Sequence, residues 1–472
     1  MVGGFRLSLD GDDSSRRCTR YRTHPAAESR RVVVVPGAAG LGGSPIVCVV
    51  KLTTREKGAR VGCSEAFFSK KRTKARAMSY LLRNIAPLAK PPGNVSLPPP
   101  HGDSNEELSA LIVLGSEGTD VAGMLLPYQV LVVHGVRVRT IGTTDALLPL
   151  TGNVFSTADY VIGDASKAPP ERCDIVVVPA VLPQDSTVGK WIEEQWRNGS
   201  WILSICEGTH MVASTPILDD GKATTHFYGL DALSERSASV TFLHGHRYIL
   251  SGKVVTSAGV SAGLDATLYL IERMTSSRDV AMGVSKCLGY DWKPESDPEG
   301  DDENRDASFS VDSAEGETLT LREKKPADRI RVGVVVFDDV DDLSLAAVLV
   351  SLPRTGEVDV VTFKVDREAK YVPDRVEGVN TNSGAVVVPM TTLNEIKVEL
   401  LTMVIIPTVN DEEEEESVDV LRDVLPDKCK IRTLGGGQVG ESFFAALKIA
   451  HELTGNTSTS LAAKMVEHPW NP

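Results

Sequence analysis

The chain has 472 residues, 42% apolar and 24% charged, with a formal charge of −14. Length and composition suit a globular protein of two or three domains, and apolar runs such as "DIVVVPAVLP" fall short of the about 18 residues a membrane helix needs. Charge is uneven: residues 1–100 hold 18 Lys and Arg against 6 Asp and Glu, the remainder 32 against 58. An acidic body excludes a reader of phosphate backbones, so neither nucleic acid nor membrane is an expected partner. Seven cysteines without a CxxC exclude a zinc site and a disulfide framework. Reduced thiols in an intracellular compartment, the cytoplasm first, are expected. No motif implies a cofactor or a metal.

Residues 1–105 are rich in Arg, Ser, Pro and Gly, with two isolated strand-like runs, "RRVVVVPG" and "SPIVCVVKL". The stretch reads either as an organellar targeting segment, Arg-rich and poor in acids, or as a disordered leader before a true start at Met78.

Residues 106–294 alternate strand and helix. "SALIVLG" predicts a buried strand, and "TDVAGMLLPYQVLVVHG" a helix with Thr119 or Asp120 as N-cap. Strands follow at "VRVRTIG" and "CDIVVVPA". "DSTVGKWIEEQWRNG" is helical, started by Asp185 or Ser186 and stopped by Gly199. "SWILSI" is a strand and "GVSAGLDATLYLIERM" a helix. This alternation predicts a parallel sheet covered by helices on both faces.

Residues 295–328 are acidic and predict a disordered linker. The pattern restarts at residue 329, with strand, turn and helix in "RIRVGVVVFDDVDDLSLAAVLVSL" and strands in "EVDVVTFKV", "GAVVVP" and "LTMVIIP"; the run "DEEEEE" at 411–416 reads as a solvated loop. The two segments echo one another. "MVIIPTVNDEEEEESVDVLRDV" parallels "IVVVPAVLPQDSTVGKWIEEQW", and Trp292 and Trp470 end matching W-x-P runs. An internal duplication with a shortened second copy, residues 329–472, is expected.

Cys206 falls where a strand ending at Ile205 meets a helix beginning near Glu207. Such a turn lifts a nucleophile above the carboxyl edge of a sheet, where open α/β sheets bind ligands. Gly208 frees the turn of a side chain, and the helix N-terminus is expected to pull the thiol pKa below about 8.5. Three ordered motifs, "SICEGTHMVASTPILDDGK", "ATTHF" and "VVTSAGVSAGLDATLYLIE", resemble the ThiJ/PfpI family of the class I glutamine amidotransferase-like superfamily. That resemblance covers about residues 108–294, and in degraded form 329–472. It implies a flavodoxin-like three-layer α/β sandwich in two tandem copies. It also implies a nucleophilic Cys206, His226 near it, and dimerisation.

Two departures from the family pattern matter. The acid four residues before Pro127 is replaced by Gly123, leaving Asp120 or Glu117 as substitutes. Glu207 stands after the cysteine where peptidase members carry His, which disfavours a peptidase. Glu207 reads either as a general acid/base or as a solvated first-turn acid, and His226 as a proton relay or a structural histidine. His210, Trp191 and Trp196 read as packing residues. His244 and His246 form only a weak metal pair, and Ser257, Gly259 and Ser261 shape the loop over the site.

The second copy has no cysteine at its matching turn, "CKIRTLGGGQVGESFF", and is expected to be catalytically dead, serving as a built-in partner in a pseudo-dimer; a homo-oligomer is the alternative. Two functions follow. Cys206, Glu207, His226, Asp120 and Gly208 serve a hydratase, lyase or deglycase-like enzyme acting on a small electrophile. Alternatively, Cys206 is the oxidisable thiol of a non-catalytic sensor or stress protein, with an oxidant as its partner.

Overall fold

The computed structural model describes residues 31–34, 47–50, 90–93, 95–98, 108–296, 298–299, 328–366, 374–435 and 438–470. The chain divides into two units, Met1–Thr73 and Lys74–Pro472. In the first, Arg31–Val34 and Val47–Val50 pair antiparallel, so the two runs expected to be isolated strands are partners of each other. The rest of that unit lies outside the described residues.

The second unit contains both strand–helix segments. In the first half β1 (Leu108–Val113) leads into α1 (Val121–Val133), β2 (Val136–Gly142) and β3 (Tyr160–Val161). Next come β4 (Ile175–Val178), α2 (Ser186–Arg197), β5 (Trp201–Ile205), α3 (Gly208–Val212) and α4 (Phe227–Ser234). The hairpin β6 (Tyr248–Ser251) and β7 (Val254–Ser257) and helices α5 (Ala262–Thr275) and α6 (Arg278–Cys287) complete it. The sheet runs β6-β7-β5-β4-β1-β2-β3, parallel except at the β6–β7 edge. The helices begin where short polar side chains satisfy their free N–H groups: Asp120 accepts from Gly123 N, and Asp185 from Thr187 N. Val-rich β4 is buried throughout, as a strand covered on both faces must be. This is a flavodoxin-like α/β fold.

The second half places β8 (Ile330–Val336), α7 (Asp342–Ser351), β9 (Val358–Lys364), β10 (Met403–Ile406), α8 (Asp411–Arg422), β11 (Lys430–Thr433), α9 (Ser442–Thr454) and α10 (Asn456–Met465) along the chain. Its four parallel strands run β9-β8-β10-β11, the order of β2-β1-β4-β5. The acidic run expected as a loop is instead the first turns of α8. Carboxylates near a helix N-terminus are favoured by the peptide dipoles, which a reading by charge alone overlooks. The "GAVVVP" strand, Val386–Pro389, leaves the second sheet and pairs antiparallel with Val154–Ser156 of the first half. Most of residues 295–328 lies outside the described residues. Glu295, at its start, receives the Arg247 N–H and donates its own N–H to Tyr248 Oη at 2.7 Å.

The halves share one apolar core, in which α1 packs on α7. Gln129 on α1 bonds Asp341, the N-cap of α7, and Leu343 N. Asn153 Nδ2 donates to Val360 O at 2.7 Å. Gly152, with φ +81°, lets the backbone pass so close that a Cβ would lie 2.7 Å from Leu349 Cβ. Among the described residues no helix is long and apolar enough to cross a membrane.

Candidate active site

Cys206 follows β5 with φ +57°, the left-handed region that a non-glycine residue enters only under constraint. Its N–H donates to Ser257 O at 3.1 Å, and its carbonyl accepts from Thr225 Oγ1 at 2.7 Å. The turn needs Gly208: a Cβ there would collide with Val178 O and lie 2.7 Å from Pro179 O. Cys206 thus directly follows β5, and Val178 and Ser257, which end the flanking strands β4 and β7, lie against its turn.

The electrostatics differ from expectation. Cys206 is only 4% exposed, and its thiol pKa is raised well above the ordinary value, not lowered. Burial is the main cause; the carboxyls of Glu207 and Asp120 add to it, while Arg354 and the Glu207 N–H against the sulfur oppose it. Helix α3 is five residues long, too short for its dipole to offset the loss of water.

Three charged or titratable side chains act on the thiol: Glu207, Asp120 and Arg354. Asp120, on the N-cap of α1, pairs with the Arg354 guanidinium at 2.8 Å, and both side chains are about 95% buried (5% and 4% exposed). Arg354 comes from the second half, in the 3₁₀ turn after α7. Glu207 is buried rather than solvated, and desolvation with the nearby Asp120 charge pushes its carboxyl up to about 8. Glu117, the other candidate substitute for the absent acid, is exposed. Gly123 has no room for that acid: a Cβ there would lie 2.9 Å from Pro179 Cβ.

His226 is fully buried as the N-cap of α4. Its Nδ1 faces the Tyr228 N–H at 3.4 Å, and its Nε2 lies 3.1 Å from Met465 O. Burial lowers its pKa to about 4. With Nδ1 accepting, Nε2 carries the proton toward Met465, so the ring is neutral and engaged at both nitrogens.

The end of α10 closes the site. Ser261 N donates to Val466 O at 3.0 Å, while Ser261 Oγ and Arg247 Nη1 donate to Glu467 O. The Glu467 carboxyl lies over Gly259, where a Cβ would be 2.7 Å from its Oε2, and burial raises its pKa to about 8. Sequence reasoning named the Ser257–Ser261 loop but missed what covers it. It also missed Arg354, whose one signal was a cation directly after the apolar run "LSLAAVLVSLP". Trp191 is buried in the apolar layer beneath α2, as a packing residue should be. His244 lies 3.4 Å from Asp231 and His246 is buried; no cluster of three metal-ligating side chains occurs among the described residues.

A parallel sheet with a thiol at the carboxyl end of a central strand defines a flavodoxin-like α/β domain built around a cysteine turn. The profile of the DJ-1/PfpI family matches residues 108–273, so this part of the chain is similar to that family. A glutathione-independent glyoxalase of Caenorhabditis elegans is 22% identical over 35% of this chain and 88% of its own length. An isonitrile hydratase of Pseudomonas putida is 26% identical over 25% of this chain and 52% of its own. Among solved structures, Drosophila melanogaster DJ-1beta aligns at 19% identity and TM-score 0.34, covering 38% of this chain and 97% of its own. A ThiJ/PfpI family protein from Pseudomonas syringae aligns at 15% identity and TM-score 0.37, covering 50% and 88%.

Proposed function

We propose that Cys206 is the nucleophile of an enzyme acting on a small electrophile, a reactive carbonyl or an isonitrile, with the second half as a built-in partner. The observation that carries this reading is the set of buried charges around a thiol held at φ +57°: Glu207 and Asp120 from the first half, Arg354 from the second. An inert core cysteine has no need of such neighbours, since burying ions is costly. The matched strand order of the two sheets and the Asp120–Arg354 pair support the internal-partner reading.

With a carbonyl substrate, Sγ bonds to the carbon and the C=O π pair moves to oxygen. Glu207, held as a neutral acid near pH 7, gives its proton to that oxygen, and the thiol proton passes to the carboxylate so formed. The oxygen gains the proton the sulfur loses, and Glu207 ends as it began. The Glu207 N–H next to the sulfur helps hold the developing charge. Relationship to the glyoxalase and the isonitrile hydratase suggests the two substrate classes.

The sensor reading is less favoured, because the buried charges around Cys206 suit acid–base chemistry at a substrate, which oxidation of a thiol does not require. Turnover of methylglyoxal and of a model isonitrile by the wild type, lost in Cys206→Ala, is the expected result. Equal turnover by both proteins, or none by either together with selective peroxide oxidation of Cys206, would overturn the enzyme reading.

A further inference from the structure

Two polar atoms on the turn and short helix that follow the thiol are left without partners. Glu207 Oε1 and His210 Nε2 are buried, and neither has a hydrogen-bond partner among the described residues. The residues lie three apart on one helical turn, with His210 N donating to Glu207 O at 3.1 Å, so their side chains project toward the same side. Both face Gly229 on α4: a Cβ on that glycine would lie 3.1 Å from His210 Nε2 and 3.8 Å from Glu207 Oε1. Orphaned groups buried this deeply are destabilising unless they find one another.

Their chemistry is complementary. Burial, with the nearby Arg236 charge adding to it, keeps the His210 ring neutral, its pKa lowered to about 4, so Nε2 is available as an acceptor. Burial keeps Glu207 as the neutral acid, an O–H donor. The other charged or titratable groups acting on Glu207 are Asp120 on the N-cap of α1, Arg354 from the second half, Cys206 beside it and Tyr228 on α4. None of these contacts supplies Oε1 with an acceptor.

We propose that, before substrate binds, Glu207 and His210 form a hydrogen-bonded pair, carboxylic acid O–H to imidazole Nε2, and that His210 is the positioning residue that keeps Glu207 protonated next to Cys206 until the proton passes to the substrate. This rests on the reading of Cys206 as the reactive group. The pair closes by a small side-chain shift of the kind seen when a loose catalytic hydrogen bond tightens. Its consequence is electrostatic. Without the imidazole acceptor Glu207 ionises more readily, and its negative charge then disfavours the thiolate.

The test is the pH profile of Cys206 alkylation by iodoacetamide, followed by mass spectrometry on the full chain, which needs no knowledge of the substrate. His210→Phe fills the space without an acceptor and is expected to move the profile up by about one pH unit, making alkylation about tenfold slower near neutral pH. His210→Gln restores a carbonyl acceptor and should recover the rate to within about twofold of wild type. In a Glu207→Gln background His210→Phe should have no further effect. Wild-type kinetics in His210→Phe, or an undiminished effect in that background, overturns the proposal. If His210→Phe does not fold, ¹⁵N resonances of wild-type His210 decide: an unprotonated Nε2 on a neutral ring supports the pair, and a protonated Nε2 refutes it. A profile that responds as described in a protein that turns over no substrate would uphold the pair and remove the proposed activity.

Discussion

The turn carrying Cys206 and the turn after β11 in the second half follow strands that hold the same place in the two sheet orders, but sit in opposite surroundings. The first is closed on all sides. Cys206 and Glu207 are each 4% exposed, and Gly208 is pressed against the backbone of Val178 and Pro179. The second opens onto a cavity of about 300 Å³ lined by Arg432, Gln438, Lys448 and Glu452, among others. Gly435 there also has a positive φ, +82°, yet a Cβ would meet nothing within 4 Å. Its charges pair at the surface, where water shares the work: Glu452 receives Lys430 at 3.1 Å and Arg432 at 3.2 Å. Around the thiol, charges are buried and paired across the halves; at the second turn they pair in solvent.

The largest expected effect separates the two kinds of ion pair. Arg354→Met leaves Asp120 buried and unpaired, and is expected to lower stability by about 3–5 kcal/mol in urea unfolding. Arg432→Met, at the exposed pair, should cost under about 1 kcal/mol. Equal losses would show that the Asp120–Arg354 pair is no more buried in solution than the Arg432–Glu452 pair. Next, Gly208→Ala forces a methyl into backbone and should cost about 3 kcal/mol by thermal or urea unfolding. Gly435→Ala, with open space around it, should cost only about 1 kcal/mol, from its positive φ.

The pH dependence sharpens the contrast. Glu207 and Glu467 have folded pKa values of about 8 against an ordinary 4.5, so the folded state holds protons that the unfolded chain releases. Their contribution is fully present below the unfolded value, and stability should fall as pH rises from about 4.5 through 8. Glu467→Gln should flatten that fall in urea midpoints measured from pH 5 to 9; an unchanged slope would show that this carboxyl is already ionised. Glu452 runs the other way. Its pKa is lowered by hydrogen bonds from Arg432 and Lys430, so its smaller contribution is present at neutral pH and fades in acid. Glu452→Ala should therefore alter only the acid end of the curve, and by the least of these effects.

Much of this architecture was legible in the chain. Asp120, Asp185 and Gly199 bound their helices as capping chemistry dictates, and valine-rich runs gave the buried parallel strands. The location of Cys206 was readable for the same reason, since strand, turn and helix are local patterns. The sign of its pKa shift was not. That sign depends on how completely the turn is covered, and the cover comes from Arg354 and from Met465 to Glu467, far along the chain. His210 read as packing because a histidine on a short helix carries no mark of what its ring faces. Glu207 read equally well as a solvated acid, because only tertiary burial separates the two cases. The acidic run at 411–416 was misread because charge was weighed without the helix N-terminus that accommodates it.

The second half's closing turn and the first half's loop bond to one another, and the exchange is mutual: Ser261 N reaches Val466 O, and Gly440 N reaches Leu288 O. His226 accordingly finds its carbonyl partner 239 residues downstream. During synthesis, then, the cysteine emerges from the ribosome long before its surroundings exist, and the nascent first half has neither Arg354 nor the closing turn. Maturation of the pocket is thereby coupled to completion of the downstream half, a delay that long-range contacts impose on any site assembled from both ends of a polypeptide.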